Sequence, residues 1–341
     1  MEREKNLSGD GLCPLNERSG DVPEKIKINF TGFWHPNTPE AIRRHNPLYR
    51  LLAKRFELEI SDKPDFLIYS CFGSDFGYDY LRYDCVRIFY TGENVRPDFD
   101  DCDFAFSFDY PVTDRNYRLP LYGLDWKLHR IREEIDLDAV VAQKRKFCNF
   151  VYSNDRAKER IAFFNKLRTY KKVDSGGRVL NNIGHLVGDK LDFLSNYKFT
   201  IAFENESHPG YTTEKILHAL IARTIPIYWG NPLVSRDFNP RAFINCHDYE
   251  SFDGVVERVK DIDGDDDLYR AYLSEPCFAN GFDNEFISEA NVLARFERIF
   301  SEKEMPRVAR KSDFVKRAKL LWRLRMGRLS DRVRSKFSLN G

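Results

Sequence analysis

Two successive doubly wound α/β domains are the fold class the sequence predicts, and three observations carry the prediction. Apolar strand-like runs alternate with helical segments through most of the chain, a pattern that yields mainly parallel sheets covered on both faces. The 341 residues exceed what one hydrophobic core usually organises, so two domains are expected. With 42% hydrophobic and 14% aromatic residues against 19 Gly and 15 Pro, the chain has ample apolar surface and lacks the composition of disordered or collagen-like proteins.

Taken in order, residues 1–24 form a polar leader, after which 26–30 alternates as a strand does. A helix is expected over 39–56, then strands at 66–69, 86–90 and 104–108, and a long charged helix over 126–145. The boundary near 145 separates a domain over 25–145 from one over 146–300. The second series reads as strand 146–152, helix 156–167, strand 198–203, helix 213–222, strand 225–229 and helix 285–300. The acidic run at 261–267 has its glycine at the fourth rather than the sixth position and no closing Glu. A solvated loop between helices is therefore preferred to a calcium loop.

Fifty-four basic against 53 acidic residues leave a formal charge of +1, which excludes a surface devoted to a polyanion, so no nucleic-acid partner is expected. The balance is uneven: residues 306–341 carry +10 and the remainder −9. In that tail Phe314, Val315, Ala318, Leu321, Trp322 and Leu329 share one side at ~100° per residue, with Arg and Lys around the rest. This pattern predicts a basic amphipathic helix within 301–341 that lies on an anionic membrane surface, set against a merely solvated or RNA-sticky tail. The seven cysteines are scattered without metal spacing, residues 1–25 lack a signal-peptide core and no run of ~18 apolar residues occurs. A cytoplasmic chain with reduced thiols is expected.

Strands of two such domains end at facing edges of a cleft, and ligands bind at those edges. Residues 198–245 form one strand–loop–helix–strand unit whose polar loop gathers Glu204, Asn205, Tyr211, Glu214 and Lys215, with Thr212 or Thr213 suited to cap the helix. A lysine in a helix's first turn adds charge to an end that is already positive, so an anion should offset it. A diphosphate on Lys215 fits, leaving Glu214 to accept hydrogen bonds from ribose hydroxyls. Spacing alone equally allows Lys215 to be paired with a nearby carboxylate.

The segment FENESHPGYTTEKI (203–216), then TIPIYWG (224–230) and DFNPRAFIN (237–245), resembles the donor-binding signature of the bacterial α-1,3/4-fucosyltransferases of the Helicobacter type. Upstream, IFYTGENVRPDFD (88–100) and RLPLYG (118–123) are similar to that family's N-terminal domain in the same order, so the resemblance covers about residues 26–300. It implies a GT-B architecture of two facing Rossmann-like domains and inverting transfer of fucose from GDP-β-L-fucose to an N-acetylglucosamine hydroxyl in N-acetyllactosamine-type glycans. No metal or other cofactor is essential to such a site. By the resemblance, Asn205, Tyr211, Glu214 and Lys215 surround GDP-fucose, Arg160 binds phosphate and Glu93 is the general base. A permanently charged guanidinium suits a departing diphosphate, and inversion needs a carboxylate opposite it to take the acceptor's proton. Left to spacing alone, Arg160 would be a solvated residue one turn from Arg156, and Glu93 a cap or a partner of Arg96. Members that build lipopolysaccharide work at the cytoplasmic face of the inner membrane, where a basic tail would hold the enzyme. The heptad repeats of Helicobacter members are not visible here.

Other motifs carry less. Asp98-Phe99-Asp100 is a formal DxD but does not close a donor-site strand, and His208, His218 and His247 lack ligand spacing. The glycines of Asp174-Ser175-Gly176-Gly177, with Asn181 and Asn182, match a family loop, and turn chemistry explains them as well. Trp34 and His35 could line an acceptor-sugar subsite, with core packing the preferred use of Trp34. The rival readings are a transferase for another sugar nucleotide and a catalytically inactive membrane- or RNA-associating protein.

Overall fold

The computed structural model describes residues 24–72, 79–279 and 284–302, together with Lys316, Ala318 and Trp322. The polar leader up to 23, Cys13 and the amphipathic pattern of the tail therefore lie outside the described residues, as does the rest of 303–341. Lys316 is placed beside Asp98 and Asp101.

The first sheet contains β1 (Ile26–Thr31), β2 (Leu58–Ile60), β3 (Phe66–Tyr69), β4 (Val86–Tyr90), β5 (Phe104–Ser107) and β6 (Asn116–Arg118), ordered β2-β1-β3-β4-β5-β6 with every pair parallel. All of β3 and β4 is buried, as expected of unbroken apolar runs in a doubly covered sheet. The three-residue edge strands β2 and β6 were not expected.

The helix expected over 39–56 is two, α1 (Pro39–His45) and α2 (Pro47–Leu52). Asn46 between them stays extended and its side chain accepts from Tyr49 N–H at 3.0 Å, while Pro47 offers no N–H to continue α1. The long helix over 126–145 is also corrected. A 3₁₀ turn at Leu128–Arg132 is followed by α3 (Leu137–Gln143), capped by Asp136. The Arg223 guanidinium donates to the carbonyls of Ile131 and Glu133 (3.5 and 2.7 Å), which a continuous helix would have used internally.

The second sheet, ordered β11-β10-β9-β7-β8 and again wholly parallel, contains β7 (Lys146–Phe150), β8 (Val173–Ser175), β9 (Tyr197–Phe203), β10 (Ile225–Trp229) and β11 (Ile244–Asn245). Around it lie α4 (Lys158–Leu167), α5 (Lys190–Ser195), α6 (Glu214–Ile221), α7 (Phe252–Gly264) and α8 (Asp266–Ser274). The acidic run finishes α7, and Asp265 caps α8 by accepting from Leu268 N–H at 3.0 Å. The last described helix, α9 (Glu289–Ser301), follows the second sheet in sequence but packs on the first: Phe296 stacks on Phe106 (centroids 4.2 Å apart) and Phe300 meets Phe66 at 4.8 Å. It thereby straps the two halves together.

The seam buries an apolar cluster, in which Tyr122 meets Phe238 at 4.9 Å, around a polar pair. Arg118, at the end of β6, grips Asp237 with two bonds of 3.0 and 2.6 Å, and Asn284 donates to Asp237 and to the Tyr122 hydroxyl. Gly210, at φ +84°, brings its backbone so close to Phe108 that a Cβ would stand 2.4 Å from the Phe108 carbonyl oxygen.

Candidate active site

In the second sheet the order reverses between β7 and β9, the position at which doubly wound sheets bind ligands outside their strand carboxyl ends. Arg160 of α4 lies there, 1% exposed, which overturns the solvated reading. Its guanidinium stacks 3.8 Å above the Tyr152 ring and donates to the Phe203 carbonyl (3.0 Å) and to Asn205 Oδ1 (2.8 Å). Tyr152 in turn donates to the Ile201 carbonyl at 2.7 Å and accepts from Phe203 N–H at 2.8 Å. Arg160 thus locks the end of β9 and orients Asn205. Its Nε is buried with no acceptor among the described residues.

From β9 the chain enters the polar loop and returns as α6. Thr213 occupies the expected cap position, but its hydroxyl does not cap; it donates to Glu204 Oε2 at 2.7 Å. Glu204, entirely buried, accepts Thr213 N–H through Oε1 (2.8 Å) and the Lys215 ammonium through Oε2 (2.9 Å). Lys215 also donates to Thr213 Oγ1 at 2.8 Å. The partner that spacing left open for Lys215 is therefore Glu204, a residue of the same loop to which no role was given from sequence. Burial works against the Lys215 charge, but Glu204 and Glu214 outweigh it and push its pKa above the usual lysine range.

Glu214 opens α6, and its carboxylate is 3.9 Å from Lys190 of α5. Burial would raise its pKa; Lys215, Lys190 and His218 prevail and hold it at about 2. Ionised, with its own backbone N–H as a hydrogen-bond donor, it keeps acceptor capacity for further donors, as the ribose reading requires. Tyr211 is 1% exposed and packs tilted on Phe108 at 5.1 Å, so it shapes the loop against the first domain. Gly177, after β8, lies so close to Tyr152 that a Cβ would be 2.1 Å from the Tyr152 carbonyl oxygen; its contact with that strand end, beyond turn chemistry, demands glycine.

Across the cleft, Glu93 follows β4 in a tight turn: its N–H donates to Thr91 Oγ1 at 3.0 Å, and Thr91 Oγ–H to the Glu93 carbonyl at 2.9 Å. The carboxylate is half-buried and takes no hydrogen bond or ion pair from the described residues. Arg96, its alternative partner, instead pairs with Asp109 and meets the His208 ring. Asn94 donates to Glu206 of the other domain. Burial raises the Glu93 pKa; Lys215 opposes this, while Glu214 and Glu204 reinforce it, so this carboxylate feels the start of α6 across the gap. The structure brings Glu93, Glu214 and Lys215 to one cleft, with Arg160, Asn205 and Tyr211 immediately behind them.

Trp34 is 54% exposed rather than core. It meets the exposed Phe72 ring edge-on at 6.0 Å, and Phe72 N–H donates to Gly32 O at 2.7 Å, joining the loops after β1 and β3 on the edge that carries Glu93. His35 stacks on Phe33 behind them. The DxD is an Asx turn in which Asp98 Oδ1 accepts Asp100 N–H at 2.9 Å. Among the described residues no cluster of three or more His, Cys, Asp or Glu is arranged to hold a metal, and no helix is long and apolar enough to cross a membrane. The described cysteines are free thiols. His218 pairs with Asp125 across the seam at 2.7 Å, and His247 stacks on Trp229.

Two family models match the chain: the alpha-(1,3)-fucosyltransferase FucT N-terminal domain over residues 28–125 and the glycosyltransferase family 10 (fucosyltransferase) C-terminal domain over 141–275. The alpha-(1,3)-fucosyltransferase FucT of Helicobacter pylori is 34% identical over 284 residues, 72% of this chain and 59% of the relative. A putative fucosyltransferase, R654, of Acanthamoeba polyphaga mimivirus is 27% identical over 322 residues, 89% of this chain and 51% of the relative. The chain thus spans between about half and three-fifths of the length of these relatives. A crystal structure of an alpha1,3-fucosyltransferase with GDP-fucose superposes with a TM-score of 0.70 at 30% identity, covering 85% of this chain and 95% of that one. The two-sheet architecture is accordingly GT-B-like.

Proposed function

This chain belongs to glycosyltransferase family 10, the fucosyltransferases, and on that premise we propose that it transfers L-fucose from GDP-β-L-fucose, with inversion, to the O3 hydroxyl of N-acetylglucosamine in an N-acetyllactosamine-type glycan. The observation that carries the reading is the opposition of an unpartnered carboxylate, Glu93, to a cationic helix start, Lys215 at the head of α6. In this reading the acceptor hydroxyl attacks the anomeric carbon while Glu93 takes its proton, and the bond from that carbon to the diphosphate breaks with its electron pair passing to the phosphate oxygen. The charge so released meets Lys215 and the first-turn N–H groups of α6. Glu214 accepts from ribose hydroxyls, and Arg160 acts from below by fixing Asn205 and the end of β9. Arg160 Nη2 already serves the Phe203 carbonyl and Asn205 Oδ1, and Nη1 the Asn154 carbonyl at 3.4 Å, so in this reading the phosphate contact implied for Arg160 is an indirect one, made through Asn205. Trp34 and Phe72 offer aromatic faces to the acceptor sugar. The reading assigns leaving-group charge to these cations and helix N–H groups, so turnover should be insensitive to EDTA.

GDP release from GDP-fucose in the presence of N-acetyllactosamine, compared with release from GDP-mannose and UDP-galactose, tests the donor. Faster turnover of either rival would replace the reading with another transferase on the same scaffold. NMR of the product tests the linkage. The physiological acceptor we propose is a surface glycan of lipopolysaccharide type carrying Lewis-antigen-like structures, met at the cytoplasmic face of the membrane. Deleting residues 306–341 should then weaken binding to anionic vesicles and leave turnover of soluble acceptor intact; unchanged vesicle binding would remove the anchor.

A further inference from the structure

Glu204 has no part in the transfer just described, yet it is the most deeply buried carboxylate among the described residues. Room is made for it: Gly230, at the end of β10 with φ +154°, would with any Cβ stand 2.4 Å from Glu204 Cγ. Of the three N–H bonds of the Lys215 ammonium, one goes to Glu204 Oε2 and one to Thr213 Oγ1, leaving one for a ligand. Around this point three carboxylates (Glu93, Glu204, Glu214) stand against three cations (Arg160, Lys190, Lys215), so the charges of these six groups cancel. A diphosphate that enters it must share Lys215 with a carboxylate that cannot move away.

From this geometry we propose that Glu204 is a positioning residue with a second effect, product release: it aims one Lys215 N–H at the diphosphate, and its charge weakens the hold on the nucleotide so that GDP departs. The proposal rests on the donor reading above. A fixed negative charge beside an anion site lowers affinity by a Coulomb term that persists in a partly buried pocket. When GDP leaves, Lys215 keeps its internal counter-ion and the buried charge is never unpaired.

Calorimetric titration of GDP into the wild type, Glu204→Gln and Glu204→Asp, with steady-state kinetics on each, tests this. Glu204→Gln should bind GDP about tenfold more tightly, with kcat and the KM for GDP-fucose both reduced. Glu204→Asp, which keeps the charge but shortens the reach, should retain wild-type GDP affinity while losing kcat. A folded Glu204→Gln with unchanged or weaker GDP binding overturns the proposal, since a purely structural carboxylate could only loosen the pocket when replaced. If Glu204→Gln does not fold, the double variant Glu204→Gln/Lys215→Gln, which leaves neither charge unpaired, serves instead. Its GDP affinity should fall by no more than about tenfold, and a loss of about a hundredfold or more would show that Glu204 never offset Lys215. Failure of the wild type itself to bind GDP would bring down the donor reading and this proposal together.

Discussion

At the start of α6, Glu204 and Lys215 are bonded to each other and to Thr213, whereas across the cleft the Glu93 carboxylate has no hydrogen-bond or ion-pair partner among the described residues. Burial acts on both edges with different results. Beside Lys190 and Lys215 it is overcome, and Glu214 is held ionised; on the other side it prevails, and Glu93 has a raised affinity for a proton. The difference separates two kinds of catalytic work. Groups that must hold charge without reorganising are fixed in advance by one another, whereas a group that must accept a proton is left free of competing donors.

The largest effect should come from the unpartnered edge. Glu93→Gln should lower kcat by about 10²–10⁴-fold while changing GDP affinity less than about threefold, as read by GDP release and calorimetry; wild-type turnover would mean that the two edges do not share a reaction. The comparison also requires the edges to be held at a fixed separation, which the buried Arg118–Asp237 pair does. Asp237→Ala leaves Arg118 buried and uncompensated and should cost about 3–5 kcal/mol in urea unfolding; a loss below about 1 kcal/mol would show that the seam does not depend on it. Gly177→Ala forces a methyl against the Tyr152 carbonyl and should cost about 1–3 kcal/mol, with GDP binding weakened through the Tyr152–Arg160 stack; unaltered GDP binding would detach that loop from the donor side.

The last effect is in pH. Glu214, depressed to about 2 from an ordinary 4.5, contributes stability that is fully present above the unfolded value and is lost as pH falls between these two. Glu93 has the opposite sign: raised in the fold, it favours the folded state at low pH and gives up that contribution as pH rises through its folded value. Glu214→Gln should therefore flatten the loss of stability between pH 4.5 and 2, measured by thermal melts, and should move the acid limb of turnover to lower pH, because the Glu214 charge helps to raise the Glu93 pKa. An unchanged acid unfolding curve would remove Glu214 from the cationic edge.

Buried strands were legible because unbroken apolar runs admit few other uses: 66–69, 86–90 and 225–229 coincide with β3, β4 and β10. The elements misread were decided by distant groups. No local pattern in 126–145 shows that Arg223 will take two of its carbonyls, or that Asn46 will divide 39–56 by capping α2. At the site, the crowding of charged residues in 204–215 was visible, and so was a helix start in need of an anion. That the anion is Glu204, and that Arg160 is buried beneath Asn205 rather than solvated, depended on α4 and α6 both packing at the end of β9. The only trace of this in sequence is a glutamate closing an apolar strand eleven residues before a lysine. Trp34 was drawn toward the core by its hydrophobicity; its place after β1, on a sheet edge, was the better guide.

A crystal structure of the protein with GDP tests the central claim most directly. The diphosphate should lie at the head of α6 in contact with the Lys215 ammonium, with Glu214 on the ribose and the Glu93 carboxylate facing the β-phosphate across an unfilled gap the size of a sugar. A nucleotide bound away from Lys215, or a Glu93 carboxylate turned to bulk solvent with the cleft occupied, would contradict it.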